Sequence, residues 1–556
     1  MHRLEAAQRQ YERVLQLDPR QVEAHRGLGN IALHERRYQA AAEHFRQALA
    51  LAPQDVEALS NLGVMLQKLG CLGEAEEALR AAVRIAPDHV NAHFNLGLVL
   101  LLQGRFREGW QEYEWRHRIK SRTPTRFTQP EWNGSPLHGK TLLLRTEQGF
   151  GDTFQFVRYG PLLQAQGARV VLECQPGLKR VLLRTPGIDM ISERPASGQP
   201  LVEFDLHVPL LSLPRLFDTD AHNVPEAFPY IHPEPWLARR WAARLAGDGN
   251  FRVGIVWAGR PTHEDDRSRS CSLNDFLALA SVSGVTLYSL QKGDALRQLA
   301  APEVASRVVD LDPEIDDFAD TAAAIANLDL VICVDTSVAH LAGAMGKPVW
   351  IVLPFAPDWR WLAAGEDNPW YPSARLFRQA ANGEWGGVFA RVREQLAAVA
   401  RDRPAGGHPA PAEPPYDAAL VAQMREARRA LRRSDWAGAE AHCAAALASP
   451  AGQAEIHWLM GFAQFSLGRT EDALGALAAA YERWPRHAPL LKILGMALQT
   501  LDQRPEAEQC YQGALQYGND DPEVLFNLGV LKHLDGQIET AAQLYDTAIA
   551  LKPEFP

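Results

Sequence analysis

Residues 53–87 read PQDVEALSNLGVMLQKLGCLGEAEEALRAAVRIAP, and their Pro, Gly and Ala positions return every 34 residues. Pro53 lies between Pro19 and Pro87, and Gly63 between Gly29 and Gly97, each Gly preceded by Leu. Ala75 has Ala41 and Gly109 in phase, and Ala82 has Ala48. The period recurs near the C-terminal end in Gly461, Gly495 and Gly529, in Ala473, Ala507 and Ala541, and in Ala480, Ala514 and Ala548. From Gly to the following Pro the offset is 24 residues in both regions, as in Gly29 to Pro53 and Gly461 to Pro485. Such a period describes a two-helix hairpin: small residues let the helices approach, and Pro ends the second helix before the next unit. One hairpin cannot bury its own apolar face, so neighbours stack into a curved solenoid.

The spacing and residue pattern resemble the tetratricopeptide repeat. About three and a half units are expected in residues 1–119 and about four in 416–556. The first unit opens on what reads as a second helix, and the last stops just after a Pro. Concave faces of such arrays bind other chains. Asn61 and Asn95, one period apart with Asn527 in phase, are candidates to hydrogen-bond an extended peptide, or are plain polar surface.

Between the arrays the periodicity changes. Short apolar runs alternate with helical stretches, which predicts a parallel sheet in an α/β domain. Expected strands are Thr141–Arg145, Arg169–Glu173, Arg252–Trp257, Val285–Leu290, Leu330–Val334 and Val349–Leu353. A Pro/Thr/Ser-rich connection is expected over 120–139 and a Pro-rich one over 401–415. The stretch from Pro225 to Asn250 reads as a join between two Rossmann-like halves, 140–235 and 236–400, with a cleft between them.

At 556 residues the chain is too long for one core. Its net charge of −10 offers no basic field for nucleic acid. The arginines Arg428, Arg429, Arg432 and Arg433 read as a solvated helix face. Six scattered cysteines form neither a zinc pattern nor a disulfide framework, which fits a reducing compartment. With no apolar run long enough to span a bilayer and no signal peptide, a cytoplasmic protein is expected.

Two strand-to-helix junctions carry chemistry. In Arg145-Thr-Glu-Gln-Gly-Phe-Gly-Asp152, Gly149 and Gly151 permit a tight turn and close backbone approach. Asp152 then opens a helix expected from Thr153, either as its cap or as a base at the cleft. In Val334-Asp335-Thr-Ser-Val-Ala-His340 an apolar strand meets a helix starting near Thr336. Free N–H groups, the hydroxyls of Thr336 and Ser337 and the helix dipole form an anion site. His340, four residues after Thr336, shares its helix face and either adds a donor or packs. Gly259 in Trp257-Ala-Gly-Arg-Pro261 also follows a strand. Arg267 and Arg269 are candidate phosphate cations or exposed loop charge, and Gln291 and Lys292 sit at another strand end. Asp358-Trp-Arg-Trp361 and Trp370-Tyr371 read as aromatic loops, for stacking on a sugar or base or for packing. Asp218-Thr-Asp220 and Asp310-Leu-Asp312 match the DxD pattern, but neither follows a clear strand, so both are read as coincidence.

The segments 149–152 (GFGD), 334–348 (VDTSVAHLAGAMGKP) and the WAG and SLQKG strand ends together resemble the ADP-heptose–lipopolysaccharide heptosyltransferase family, in a variant fused to repeats. The overall plan is also similar to O-GlcNAc transferase, although a second array after the enzyme domain departs from both patterns. The resemblance implies a GT-B architecture and inverting, metal-independent sugar transfer from a nucleotide-sugar donor, with no cofactor. Asp152 becomes the base. Thr336, Ser337 and His340 hold the donor diphosphate, Asp335 supports their loop, and Arg267 or Arg269 supplies the cation. The acceptor is then a protein chosen by the repeats. The alternatives are a glycan acceptor, or a non-catalytic scaffold with a decayed domain. Joint retention of Asp152, Thr336 and His340 argues against decay.

Overall fold

A computed structural model describes residues 2–119, 127–194, 202–225, 228–246, 249–263, 265–301, 304, 306–402, 418–448, 453–485, 487–518 and 521–552. The expected linker residues 403–415 lie outside them.

The first array is one helix, His2–Leu17, followed by three antiparallel pairs ending with Val90–Leu102 and Phe106–Tyr113. The second is four pairs, from Ala418–Arg432 to Ile538–Leu551. The period has a direct steric cause. A Cβ on Gly29, Gly63, Gly461, Gly495 or Gly529 would come within 2.4–2.8 Å of Phe45, Leu79, Leu477, Tyr511 or Tyr545 respectively. In each case the intruding side chain stands sixteen residues on, so the Gly is the socket for its own unit's second helix.

The central region holds two separate, wholly parallel sheets. Strands β1 Thr141–Arg145, β2 Arg169–Cys174, β3 Met190–Glu193 and β4 Leu206–Pro209 form one, ordered β3-β2-β1-β4. The other comprises β5 Phe251–Val256, β6 Val285–Ser289, β7 Val308–Asp310, β8 Leu330–Val334, β9 Val349–Leu353 and β10 Ala374–Arg378, ordered β10-β9-β8-β5-β6-β7. β3, β4, β7 and β10 are additional to the six strands read from sequence. They are short, three to five residues each, a length over which periodicity is weakest. β8 and β9 are buried throughout, as sheet strands covered on both faces require.

Several expectations are corrected. Residues 127–139 are not a free connection: Glu131 bridges to His207, the Trp132 N–H donates to the His207 carbonyl at 2.8 Å, and Trp132 is buried. Of the two readings of the aromatic loops, packing is the one seen, with Trp359, Trp361, Trp370 and Tyr371 all buried. Arg428 is no solvated residue; it is half-buried against Glu455 and Glu314. Asp310 does close a strand, β7, contrary to the reading of Asp310-Leu-Asp312.

Candidate functional site

The turns leaving β1 and β8 face each other, one from each sheet. The helix Phe150–Phe156 starts three residues earlier than expected, so Asp152 stands in its first turn and caps it from there rather than from the N-cap position. Its Oδ2 reaches back to accept the Gly149 N–H at 2.8 Å. The helix Ser337–Ala344 packs directly on this one. Gly151 makes that approach possible: a Cβ there would sit 2.6 Å from the His340 ring.

Thr336 is the residue before the first turn of Ser337–Ala344, and its Oγ1 is buried with no hydrogen-bond partner among the described residues. The side chain therefore leaves an acceptor and donor unspent beside the open N–H groups of the helix. His340 is buried, with Nδ1 3.0 Å from the Tyr371 hydroxyl and Nε2 3.9 Å from Asp335. Burial, then the charges of Arg360, Arg158 and Arg269, hold its pKa well below the usual imidazole value, so it is a neutral ring. Burial, with Asp358 beside it, pushes Asp335 up to about 6.

Gly259 gives its N–H to Ser270 at 2.9 Å, and a Cβ on it would strike Arg269 Nη2 at 2.6 Å. Arg269 thus lies along the turn after β5, within electrostatic reach of Asp335 and His340, whereas Arg267 is exposed. Gln291 is spent internally: Oε1 accepts from Trp257 and Ala258, and Nε2 donates to the carbonyls of Ala258 and Lys292. Lys292 turns to the loop after β7, bonding the Ile315 carbonyl at 2.6 Å and Asp312 at 2.8 Å. Asn61 donates to Asn30 at 3.1 Å across adjoining repeats, and Asn95 is half-buried one unit further on.

The sequence reading passed over the residues that tie this site together. Arg360, in the turn Trp359–Trp361 after β9, pairs with Asp152 and donates through Nε to Gln155 at 3.0 Å. Tyr113, the last residue of the first array's final helix, accepts from Gln148 at 2.9 Å. Arg116, just beyond, is fully buried and grips Glu147 in a bidentate pair at 3.0 and 3.1 Å. Only the DWRW pattern hinted at Arg360, and its tryptophans drew the reading toward stacking or packing.

Among the described residues no three His, Cys, Asp or Glu side chains gather to hold a metal ion, and no helix is long and apolar enough to cross a membrane. Asp218 and Asp220 are paired with Arg107 of the first array at 3.0 and 2.9 Å.

Residues 1–56, 424–488 and 494–554 match one tetratricopeptide repeat family and residues 32–92 match another. Residues 284–353 match glycosyltransferase family 9 (heptosyltransferase). Tetratricopeptide repeats flank a glycosyltransferase family 9 domain. The family 9 match runs from β6 to β9 and takes in Asp335, Thr336, Ser337 and His340; Asp152 lies outside it. Protein FlbA of Caulobacter vibrioides is 30% identical over 319 residues, 53% of this chain and 53% of that protein. The chain thus spans about half the length of the curated relative it matches. Among solved structures, E. coli ADP-heptose lipopolysaccharide heptosyltransferase II is 14% identical, covering 47% of this chain and 99% of its own, with a TM-score of 0.38. A glycosyl transferase family 9 protein from Veillonella parvula is 12% identical, covering 48% and 99%, with a TM-score of 0.37. MamA is 21% identical over 25% of this chain and 75% of its own, with a TM-score of 0.23.

Proposed function

We propose that the family 9 domain is a metal-independent, inverting glycosyltransferase of GT-B type, moving a sugar from a nucleotide-sugar donor to a hydroxyl on a protein recruited by the repeats. One observation carries it: the helix that follows β1 of the four-stranded sheet and bears Asp152 packs on the helix that follows β8 of the six-stranded sheet, with Gly151 against the His340 ring. The donor diphosphate sits on the first N–H groups of Ser337–Ala344, with Thr336, Ser337, neutral His340 and Arg269 around it and Asp335 behind. Gln291 holds the neighbouring strand ends in place, and Lys292 fixes the loop after β7 rather than touching donor.

Asp152 takes the proton of the acceptor hydroxyl as its oxygen attacks the anomeric carbon. The bond from that carbon to the diphosphate oxygen breaks, and its electron pair leaves on the diphosphate. Helix dipole, hydroxyls and arginine stabilise that charge as it grows. Asn30, Asn61 and Asn95 offer amides to a peptide backbone in the concave face of the first array. A cytoplasmic setting suits the six free thiols.

Two measurements test this. In a thermal-shift screen of nucleoside diphosphates and nucleotide sugars, one donor raises the melting temperature with the logarithm of its concentration. A flat response to all of them overturns the reading. With radiolabelled donor, label enters a protein band, and Asp152→Asn lowers the rate by about 10²–10⁴-fold, as loss of a general base does. Label in a glycan fraction instead refutes the protein acceptor alone.

A further inference from the structure

Arg360 belongs to neither the repeat period nor the diphosphate site, yet it is among the most thoroughly engaged side chains in the molecule. Its guanidinium is buried and uses three directions at once. Nη2 pairs with Asp152 Oδ1, Nη1 with Asp358 Oδ1 at 2.8 Å, and Nε donates to Gln155 Oε1 at 3.0 Å. Asp152 and Gln155 stand three residues apart on the helix Phe150–Phe156, so they share a face, and the planar fork meets both. The turn carrying Arg360 is itself pinned. The Asn368 side chain donates to the Arg360 carbonyl at 2.7 Å, and the guanidinium carbon stands 4.2 Å over the Trp359 ring.

The two ends of this contact come from different sheets. Asp152 follows β1 and Arg360 follows β9. The pair exists only while the two sheets stand together.

We propose that Arg360 is a positioning residue: reaching across between the sheets, it fixes the charge and the aim of Asp152, so that the base is ready only when the two sheets are closed on each other. This rests on the reading of Asp152 as the base.

Groups from several elements face the pair. Asp358 lies on Arg360's own turn, and Glu147 on the turn after β1. Tyr113 approaches from the first array, and Asp335 and His340 from the junction after β8. Arg116, Arg158 and Arg269 are the other cations nearby, engaged with Glu147, with Tyr230 and with Asp266 respectively. Burial raises the Asp152 pKa above the usual carboxylate value, and Asp358 and Glu147 add to this. Arg360 and the Gly149 N–H oppose it, Arg360 being the larger of the two. Without the guanidinium, burial and two neighbouring carboxylates act on Asp152 with one N–H against them, and the carboxyl holds its proton to higher pH than with Arg360 in place.

The test uses the full chain carrying carboxyl-¹³C aspartate, titrated by ¹³C spectroscopy. The Asp152 signal is the one that vanishes in Asp152→Asn. In Arg360→Met its midpoint moves to higher pH by about one to three units, the usual effect of removing a close opposite charge. The acid limb of transfer, measured with the nucleotide sugar that best stabilises the wild type, moves with it. Arg360→Lys keeps a charge but loses the fork; its kcat falls about tenfold or more with KM held, since misaimed groups cost turnover rather than affinity. An Asp152 midpoint that is the same in wild type and Arg360→Met overturns the proposal. If Arg360→Met does not fold, an Arg360→Lys enzyme with wild-type kcat overturns it equally. Full transfer by Asp152→Asn sinks the parent reading instead, whatever the Arg360 variants do.

Discussion

The two repeat arrays share a period and a socket, but they meet the central domain with a different emphasis. The first drives an aromatic wedge into it. Trp110 stands edge-on to Trp359, Trp370 and Phe156, with Phe106 against Trp370 and Tyr113 against Trp359. The second docks through buried charge. Glu455, fully buried, receives Arg240 of the helix Pro235–Leu245 and Arg428 of its own first helix, while Arg244 holds Glu314 at 2.7 Å. Apolar burial of large rings is a strong net gain. A buried ion cluster gains little net stability over an apolar one but punishes any partner left alone, so it specifies a pose. The first array is therefore built as part of the wall of the candidate site, and the second as an oriented attachment.

The sharpest way to break that contrast is Trp110→Ala. Emptying a fully buried tryptophan socket costs about 3–5 kcal/mol, and here the void opens between array, helix Phe150–Phe156 and the Arg360 turn. Denaturant unfolding of the full chain reads the loss, and transfer falls with it. A stability within error of wild type refutes the wedge. Next comes Glu455→Gln. It removes the buried carboxylate that Arg240 and Arg428 share, leaving Arg240 with Asp320 and Arg428 with Glu314, a loss of about 3 kcal/mol by the cost of breaking buried pairs. Proteolysis then releases the second array first, while donor binding by thermal shift persists. Loss of donor binding at wild-type stability contradicts the division of labour.

How much of this was legible follows from the physics of each feature. The arrays were readable because a steric socket repeats: Gly29, Gly63, Gly461, Gly495 and Gly529 all receive a large side chain sixteen residues on. The cores of β1, β8 and β9 were readable because strands covered on both faces are unbroken apolar runs. β3 and β7 were not, being short strands at the sheet edges. At the site, Gly149, Gly151, Asp152 and the 335–340 segment were found because local turn chemistry marks them. Arg360 and Tyr113 were not, because their roles depend on partners more than 30 residues away. Glu455 and Arg428 look like ordinary helix charges until the docking is seen.

Tyr113 sharpens the comparison further. It occupies the repeat phase of Phe45 and Leu79, sixteen residues after Gly97, but here it is the backbone of residue 113 that fills the Gly97 socket, at 2.7 Å. The freed hydroxyl meets Gln148 in the turn leading to Asp152. Tyr113→Phe keeps the ring and removes one hydrogen bond, for about 1 kcal/mol of stability. Its larger mark is on turnover, expected to fall several-fold, because Gln148 stands in the turn that leads to Asp152. The comparison array supplies the control. Tyr511, in phase in the second array, bonds Gln499 within its own repeats, so Tyr511→Phe costs similar stability and leaves transfer alone. Equal turnover in the two variants contradicts the claim that the first array reaches the site.

The smallest effect belongs to Lys68→Met. Lys68 at the tip of the first array pairs with Asp265 at 2.9 Å, beside the loop that carries Arg269. It is the first array's analogue of the Glu455 contact, but Asp265 is nearly half exposed, at 46%. A pair in that setting contributes about 0–1 kcal/mol and fades with salt. Losing it is expected to shift stability by no more than about 0.5 kcal/mol at physiological ionic strength, a difference that vanishes in high salt. Charge at this end of the molecule is thus accessory to the aromatic wedge. The outcome that contradicts this is a salt-insensitive loss as large as that of Glu455→Gln, for then both arrays are held by charge and the wedge is only filler.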